Sequence, residues 1–173
     1  MIIRTERLIL RPLGLQDLKT VYEYSSDAEN TKYMVYLPSL SEQETKAFLT
    51  SVEQEWKQVS PAFYEFAIIL NDVQIGHISI YLSACGEQGK LGWIINKNFW
   101  NMGYTSEAAG ALLSFAKTNL NLKRLTAHCD ARNTASSRVM EKLGMALIGD
   151  KGIRTYLKRD ETATDLTYSI NLQ

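Results

Sequence analysis

A chain of 173 residues has room for one domain with a real core, and its 45% hydrophobic and 22% charged content is that of an ordinary soluble protein. Nineteen basic residues balance nineteen acidic ones, which removes any global electrostatic reason to expect nucleic acid or an anionic membrane as a partner. Met1–Glu6 lacks the apolar core of a signal peptide and no window suits a membrane span, so a cytoplasmic protein is expected.

In chain order, Leu8–Leu13 reads as a strand, with Pro12 near its end where a missing donor matters least. Leu15, Leu18, Val21 and Tyr22 recur at helical spacing and predict a short helix to about Tyr24. Ser41-Glu42-Gln43-Glu44 is a capping-box signature heading the apolar stripe Phe48, Leu49, Val52 and Trp56, and Pro61 marks the break. Tyr64–Leu70 and Val73–Leu82, joined by Asn71-Asp72, predict a hairpin, and Leu91–Ile95 a third strand of the meander. The pattern then alternates: helix over 104–119, strand Arg124–Cys129, helix over 134–143 closed by Gly144, and a strand from Met145. Strands Ile153–Leu157 and Asp165–Leu172 flank the polar turn Lys158–Thr164. An antiparallel meander followed by βαβ-like units, without repeats or linkers, predicts one mixed α/β domain over residues 1–173. Cys85 and Cys129 have no metal-ligand spacing and read as reduced thiols, and with only His77 and His128 a multi-histidine metal site is excluded.

The most informative stretch is Asn96–Ala108, where the 91–95 strand passes through a short loop into a helix starting near Gly103. A helix start carries amides without intrahelical partners and the positive end of the macrodipole. Gly103 lets another group approach that backbone closely, so the junction suits a phosphate. A second junction follows the 124–129 strand, where Asn133 is well suited to cap the next helix.

Together, Trp-Asn-Met-Gly-Tyr-Thr-Ser-Glu-Ala at 100–108 and Asn-x-x-Ser-x-x-Val-x-x-Lys-Leu-Gly-Met at 133–145 resemble the GNAT acyltransferase superfamily. Within it the chain is similar to the RimJ/RimL-type branch that acetylates ribosomal-protein N-termini, whose opening strand Thr5–Arg11 also resembles. The resemblance implies a mostly antiparallel twisted sheet, helices on both faces, and one splayed parallel pair, here 91–95 and 124–129. It also implies acetyl-CoA as donor, a primary amine as acceptor, no metal, and a monomer or homodimer. Asn101, Met102, Gly103, Tyr104, Thr105 and Ser106 would surround the pyrophosphate, and Trp93, Ile94 and Ile95 would pair with the pantetheine amides. Asn133 and Arg138 would complete the cofactor site, and Ser136 would protonate the departing thiolate.

Four positions depart from the superfamily pattern. Trp100 and Thr105 replace the usual ends of the phosphate loop, Met140 stands where many members carry an acidic tyrosine, and Lys90 stands where a glutamate base often precedes Ile-Gly. The acid role therefore falls to Ser136, and the base is left between Glu107 and a water held by backbone carbonyls. Trp100 and Tyr104 read as packing residues, Cys129 as a small core residue, and His128 as pointing away from the site. Tyr33, Tyr36, Phe63 and Tyr64 read as core, with the acceptor pocket as the alternative. The expected acceptor is a protein N-terminal α-amine; the rivals are a small-molecule amine such as a polyamine, amino acid or aminoglycoside, or a non-catalytic acyl-CoA-binding module. Acidic side chains at the acceptor mouth would favour a polycation, and Asp27, Glu29, Glu42 and Glu44 are the ones to inspect.

Overall fold

Strand β3 (Phe63–Leu70) explains why the sheet is covered on both sides. Phe66 and Ile68 enter one apolar cluster while Ala67 and Ile69 enter another, the two-residue period of a strand buried on both faces. The computed structural model describes residues 1–172. Its other strands are β1 (Ile3–Arg4), β2 (Ile9–Pro12), β4 (Val73–Leu82), β5 (Gln88–Ile95), β6 (Arg124–Asp130), β7 (Ala146–Thr155) and β8 (Thr162–Asn171). They form one sheet in the order β1-β2-β3-β4-β5-β6-β8-β7, antiparallel except for β5 beside β6.

Helices α1 (Leu18–Ser26) and α2 (Glu42–Glu55) cover the Ala67 face through Val21, Tyr24, Leu49 and Val52. Helices α3 (Tyr104–Thr118) and α4 (Thr134–Lys142) cover the Phe66 face. In α3 the small Ala108, Ala109 and Ala116 alternate with Leu112 and Phe115 at helical spacing, which lets the helix axis lie close to the strands. Among the described residues no helix is long and apolar enough to cross a membrane.

The mixed α/β architecture and helices on both faces follow the sequence reading, with four local corrections. The helix expected from Leu15 opens as a 3-10 turn, Leu15–Asp17, before α1. The capping box at Ser41 is half closed: Ser41 Oγ accepts from Glu44 N–H at 3.2 Å, but the Glu44 carboxylate reaches past it to Leu40 N–H at 2.8 Å. Strand β1 was not foreseen, being too short to show a period. The two strands expected between Met145 and Leu157 are one, β7, whose register against β8 shifts around Gly149 and before Gly152. Asn71 and Asp72 do make the tight hairpin turn, both at positive φ (47° and 64°), the backbone such two-residue turns require.

At the end of α4, Gly144 N–H bonds Glu141 O at 3.0 Å and Met145 N–H bonds Met140 O at 3.0 Å, a Schellman closure with Gly144 at φ 77°. Gly144→Ala is expected to cost about 1–2 kcal/mol in urea denaturation, since an added Cβ would meet only Ile170 Cδ1 at 3.9 Å and the penalty is backbone strain alone. Leu112→Ala, at a fully buried position, is expected to cost about 2–5 kcal/mol in the same measurement.

Candidate active site

Parallel pairing between β5 and β6 stops at Leu91 opposite Ala127, so the remaining lengths of the two strands part. Asn96 N–H still bonds Ile75 O on β4, at 2.9 Å. Because backbone groups alternate sides along a strand, those of Trp93 and Ile95 face the edge that β6 has left. The Ile95 carbonyl there is taken by Trp100 Nε1 at 2.9 Å, leaving the Trp93 N–H and C=O and the Ile95 N–H facing the gap.

A cavity of about 540 Å³ opens at this parting. Trp93, Ile94 and Ile95 line it from β5; Trp100, Asn101, Gly103, Tyr104, Thr105 and Ser106 line it from the loop and the start of α3. Asn101 (φ 61°) and Gly103 (φ 82°) are both left-handed, which turns the chain sharply into the helix. The first intrahelical bond of α3 runs from Glu107 N–H to Gly103 O at 3.1 Å, so the amides of Tyr104, Thr105 and Ser106 precede it. Side-chain oxygens cap α2 and α4, from Ser41 and Asn133, but none caps α3. This helix start therefore meets the cavity with its donors uncapped, an arrangement that favours an anion.

Glu107 and Met102 are not brought to the cavity. The Glu107 carboxylate accepts Thr5 Oγ1 at 2.6 Å, Arg7 N–H at 2.8 Å and Arg7 Nε at 2.7 Å. Partial burial pushes its pKa up, but the Thr5 hydroxyl and Arg7 outweigh that and hold it below the usual range. A carboxylate so engaged is poorly placed to take a proton from substrate, and the base role expected of it is not supported by this geometry. Arg7 Nη1 also donates to Met102 O at 3.1 Å and its guanidinium lies 4.6 Å over the Tyr104 ring, so β1–β2 fastens the turn from outside while the Met102 side chain is exposed. Trp100 and Tyr104, read as packing residues, both line the cavity, and Tyr104 also packs against the core as expected.

Helix α4 supplies the facing wall. Asn133 caps it, Oδ1 accepting Ser136 N–H at 3.1 Å, and both residues line the cavity. The neighbouring Ser137 turns instead toward Cys129 Sγ, 3.4 Å away, and Met140 is wholly buried in the core, so the residue at the family's tyrosine position packs rather than reacts. Arg138 lines the cavity as expected; Lys142 joins it, and the i, i+4 spacing on one helix face was the signal that could have found it. His128 points elsewhere, bonding Asp165 Oδ2 at 3.0 Å.

The third wall, residues 29–34, was not foreseen beyond Tyr33 and Glu29. It is tied to the loop after β5: Lys97 N–H donates to Asn30 Oδ1 at 2.6 Å, and Lys97 Nζ to Asp27 at 2.8 Å and Glu29 at 2.9 Å. It is tied as firmly to the β7–β8 hairpin. Leu157 N–H donates to Val35 O at 3.0 Å, Lys158 Nζ to Pro38 O at 3.0 Å and Arg159 Nη2 to Lys32 O at 2.6 Å, while Lys158 also pairs with Glu44. The ion pairs hold the Asp27 and Glu44 carboxyls below their ordinary range.

Residues 7–146 match the model of the acetyltransferase (GNAT) domain. The uncharacterized N-acetyltransferase YnaD of Bacillus subtilis is 38% identical over 147 residues, covering 83% of this chain and 81% of the relative. In fold, the chain is similar to RimL, a ribosomal L7/L12 α-N-protein acetyltransferase solved with coenzyme A, at TM-score 0.87 and 16% identity over 99% of this chain and 98% of that one. It is similar as well to spermidine N-acetyltransferase of Vibrio cholerae, solved with CoA and spermine, at TM-score 0.83 and 17% identity over 96% of each. A parted parallel strand pair, an uncapped helix start beside it and the match across most of the chain lead to one conclusion: the chain belongs to the GNAT family of N-acetyltransferases.

Proposed function

We propose that the protein transfers acetyl from acetyl-CoA to the N-terminal α-amino group of a protein, by direct attack of the neutral amine on the thioester. The amides of Tyr104–Ser106 would hold the pyrophosphate, with Arg138 and Lys142 adding positive charge from α4. The free backbone groups of Trp93 and Ile95 would pair with the pantetheine arm as an added strand does, with the Asn133 amide across from them. Ser136, facing the cavity beyond Asn133, would supply a proton to the departing sulfur.

The observation that favours a peptide over a polyamine is the fate of the acidic residues. Lys97 offsets one of the two negative charges of Asp27 and Glu29 and Lys158 offsets that of Glu44, so these three carboxylates leave a single excess negative charge. The cavity adds Lys32, Arg138 and Lys142 to its lining, a poor setting for a ligand of several positive charges. A single α-amine on an otherwise neutral peptide suits it better.

Calorimetry and an acceptor panel test this reading. Gly103→Glu forces a side chain onto a left-handed residue and sets a negative charge at the helix start. It is expected to weaken acetyl-CoA binding about tenfold or more. In a panel of short peptides, spermidine and single amino acids, the peptides are expected to give the highest kcat/KM; spermidine leading would sink the acceptor assignment. Ser136→Ala is expected to lower kcat on the best acceptor by about 10²-fold with little change in acetyl-CoA affinity.

A further inference from the structure

Glu65, in β3, is only 3% exposed, an unusual setting for a carboxyl group. Its Oε1 accepts the Tyr81 hydroxyl at 2.8 Å, while Oε2 is buried with no partner. In the register of the sheet Glu65 lies opposite Ser79 of β4, and Ser79 lies opposite Gly92 of β5. Gly92 is the first β5 residue beyond the last pair with β6, so this row of three ends where the sheet opens. A Cβ built on Gly92 would meet Ser79 Oγ at 3.0 Å and nothing else within 4 Å; the serine hydroxyl donates to the Gly92 carbonyl at 3.4 Å, a long bond it must leave to turn toward Glu65 Oε2. The adjacent row holds Tyr81 opposite Lys90, the position at which the family often carries its base.

We propose that Glu65 is the final proton acceptor for the substrate amine, reached through the Ser79 hydroxyl. The proposal rests on the acetyl-transfer reading above and names the base that the sequence left open. With Glu65 ionised, an ammonium group at the opening gives one proton to Ser79 Oγ as the serine's own proton passes to Glu65 Oε2. The freed nitrogen lone pair forms the C–N bond to the thioester carbonyl carbon, and the carbonyl π pair moves onto oxygen. Its return breaks the C–S bond, and sulfur leaves with that electron pair. The nitrogen's second proton reaches sulfur by way of Ser136, giving amide, free thiol and a protonated Glu65 that returns its proton to water.

The surroundings suit the role. Burial pushes the Glu65 carboxyl up to about 7, with the Tyr81 and Ser79 hydroxyls pulling the other way. From α1 it faces Tyr24, whose hydroxyl meets His77 and Gln74, and beyond it Asp17 in an ion pair with Arg11. Past the end of α2, Trp56 donates its indole N–H to the Glu65 carbonyl, and from β5 the Lys90 ammonium lies 6.0 Å over the Tyr81 ring. Burial pushes His77 down to about 4 and both Tyr24 and Tyr81 upward, so those three keep one protonation state around neutral pH while Glu65 changes its own. As a proton acceptor Glu65 is competent when ionised, so activity must rise with pH through this range.

Glu65→Gln keeps the shape and an acceptor for the Tyr81 hydroxyl. The test is kcat/KM against pH, from about 5.5 to 9, on whichever amine the wild type acetylates, beside calorimetry with acetyl-CoA. The wild type is expected to rise through about pH 7, with a further limb near 8 from a peptide α-amine. Glu65→Gln is expected to lose the lower limb and about 10²-fold in rate at pH 7.5, with acetyl-CoA affinity kept. Wild-type rate and profile in Glu65→Gln would overturn the proposal while leaving acetyl transfer intact. Should that variant lose acetyl-CoA binding as well, Ser79→Ala decides, since it cuts the relay without touching the carboxyl: a wild-type rate there overturns the proposal, a comparable loss supports it. A wild type that acetylates no amine would remove the underlying reading and the proposal together.

Discussion

The loss of pairing beyond Leu91 and Ala127 is the constraint on which the rest of the site depends. A sheet interior does not leave backbone donors and acceptors unmatched without cost, because each buried unpaired group forfeits about 1–3 kcal/mol. Here β6 turns away to continue its pairing with β8 as far as Asp130, and β5 keeps only its bonds to β4. The groups that β5 exposes are the complement of an extended amide-bearing chain, which is what a pantetheine arm presents. Placing the α3 start at the end of the same strand then sets unpartnered amides in line with that edge.

Two kinds of support hold this arrangement. Within the loop, the Trp100 indole folds back onto Ile95 and the left-handed Asn101 and Gly103 set the turn. From outside, Thr5 and Arg7 grip Glu107 and Arg7 holds the Met102 carbonyl, so the opening strands of the chain brace a helix start a hundred positions away. A first-turn carboxylate would otherwise set a bare negative charge at this helix start; bound to Arg7, its charge is compensated where it stands.

Much of this was legible in the residues because it is local. Gly103 before an apolar helical period and Asn133 before another mark two helix starts after two strands, and the structure sets both around one cavity. The alternation in β3 and the small-residue stripe of α3 are likewise written along single elements. What could not be read depends on partners far off in the chain. Glu107 looked free because Thr5 and Arg7 are invisible from its neighbourhood, and Glu65 looked like a polar residue in an ordinary strand because Ser79, Tyr81 and Gly92 reach it only through the sheet register. The split reading of β7 has a local cause: Gly149 and Gly152 imitate a turn but accompany irregular pairing within one strand.

The segment 29–38, whose first part walls the cavity, carries a consequence for how such a protein can diversify. Three consecutive residues of the hairpin, Leu157, Lys158 and Arg159, hold the backbone carbonyls of Val35, Pro38 and Lys32, and a fourth contact joins Lys158 to Glu44. Segments more than a hundred positions apart are thereby stitched into one surface. Replacing either alone with the matching piece of a relative would leave carbonyls and charges facing the wrong partner, so inheritance must treat the two as a single cassette.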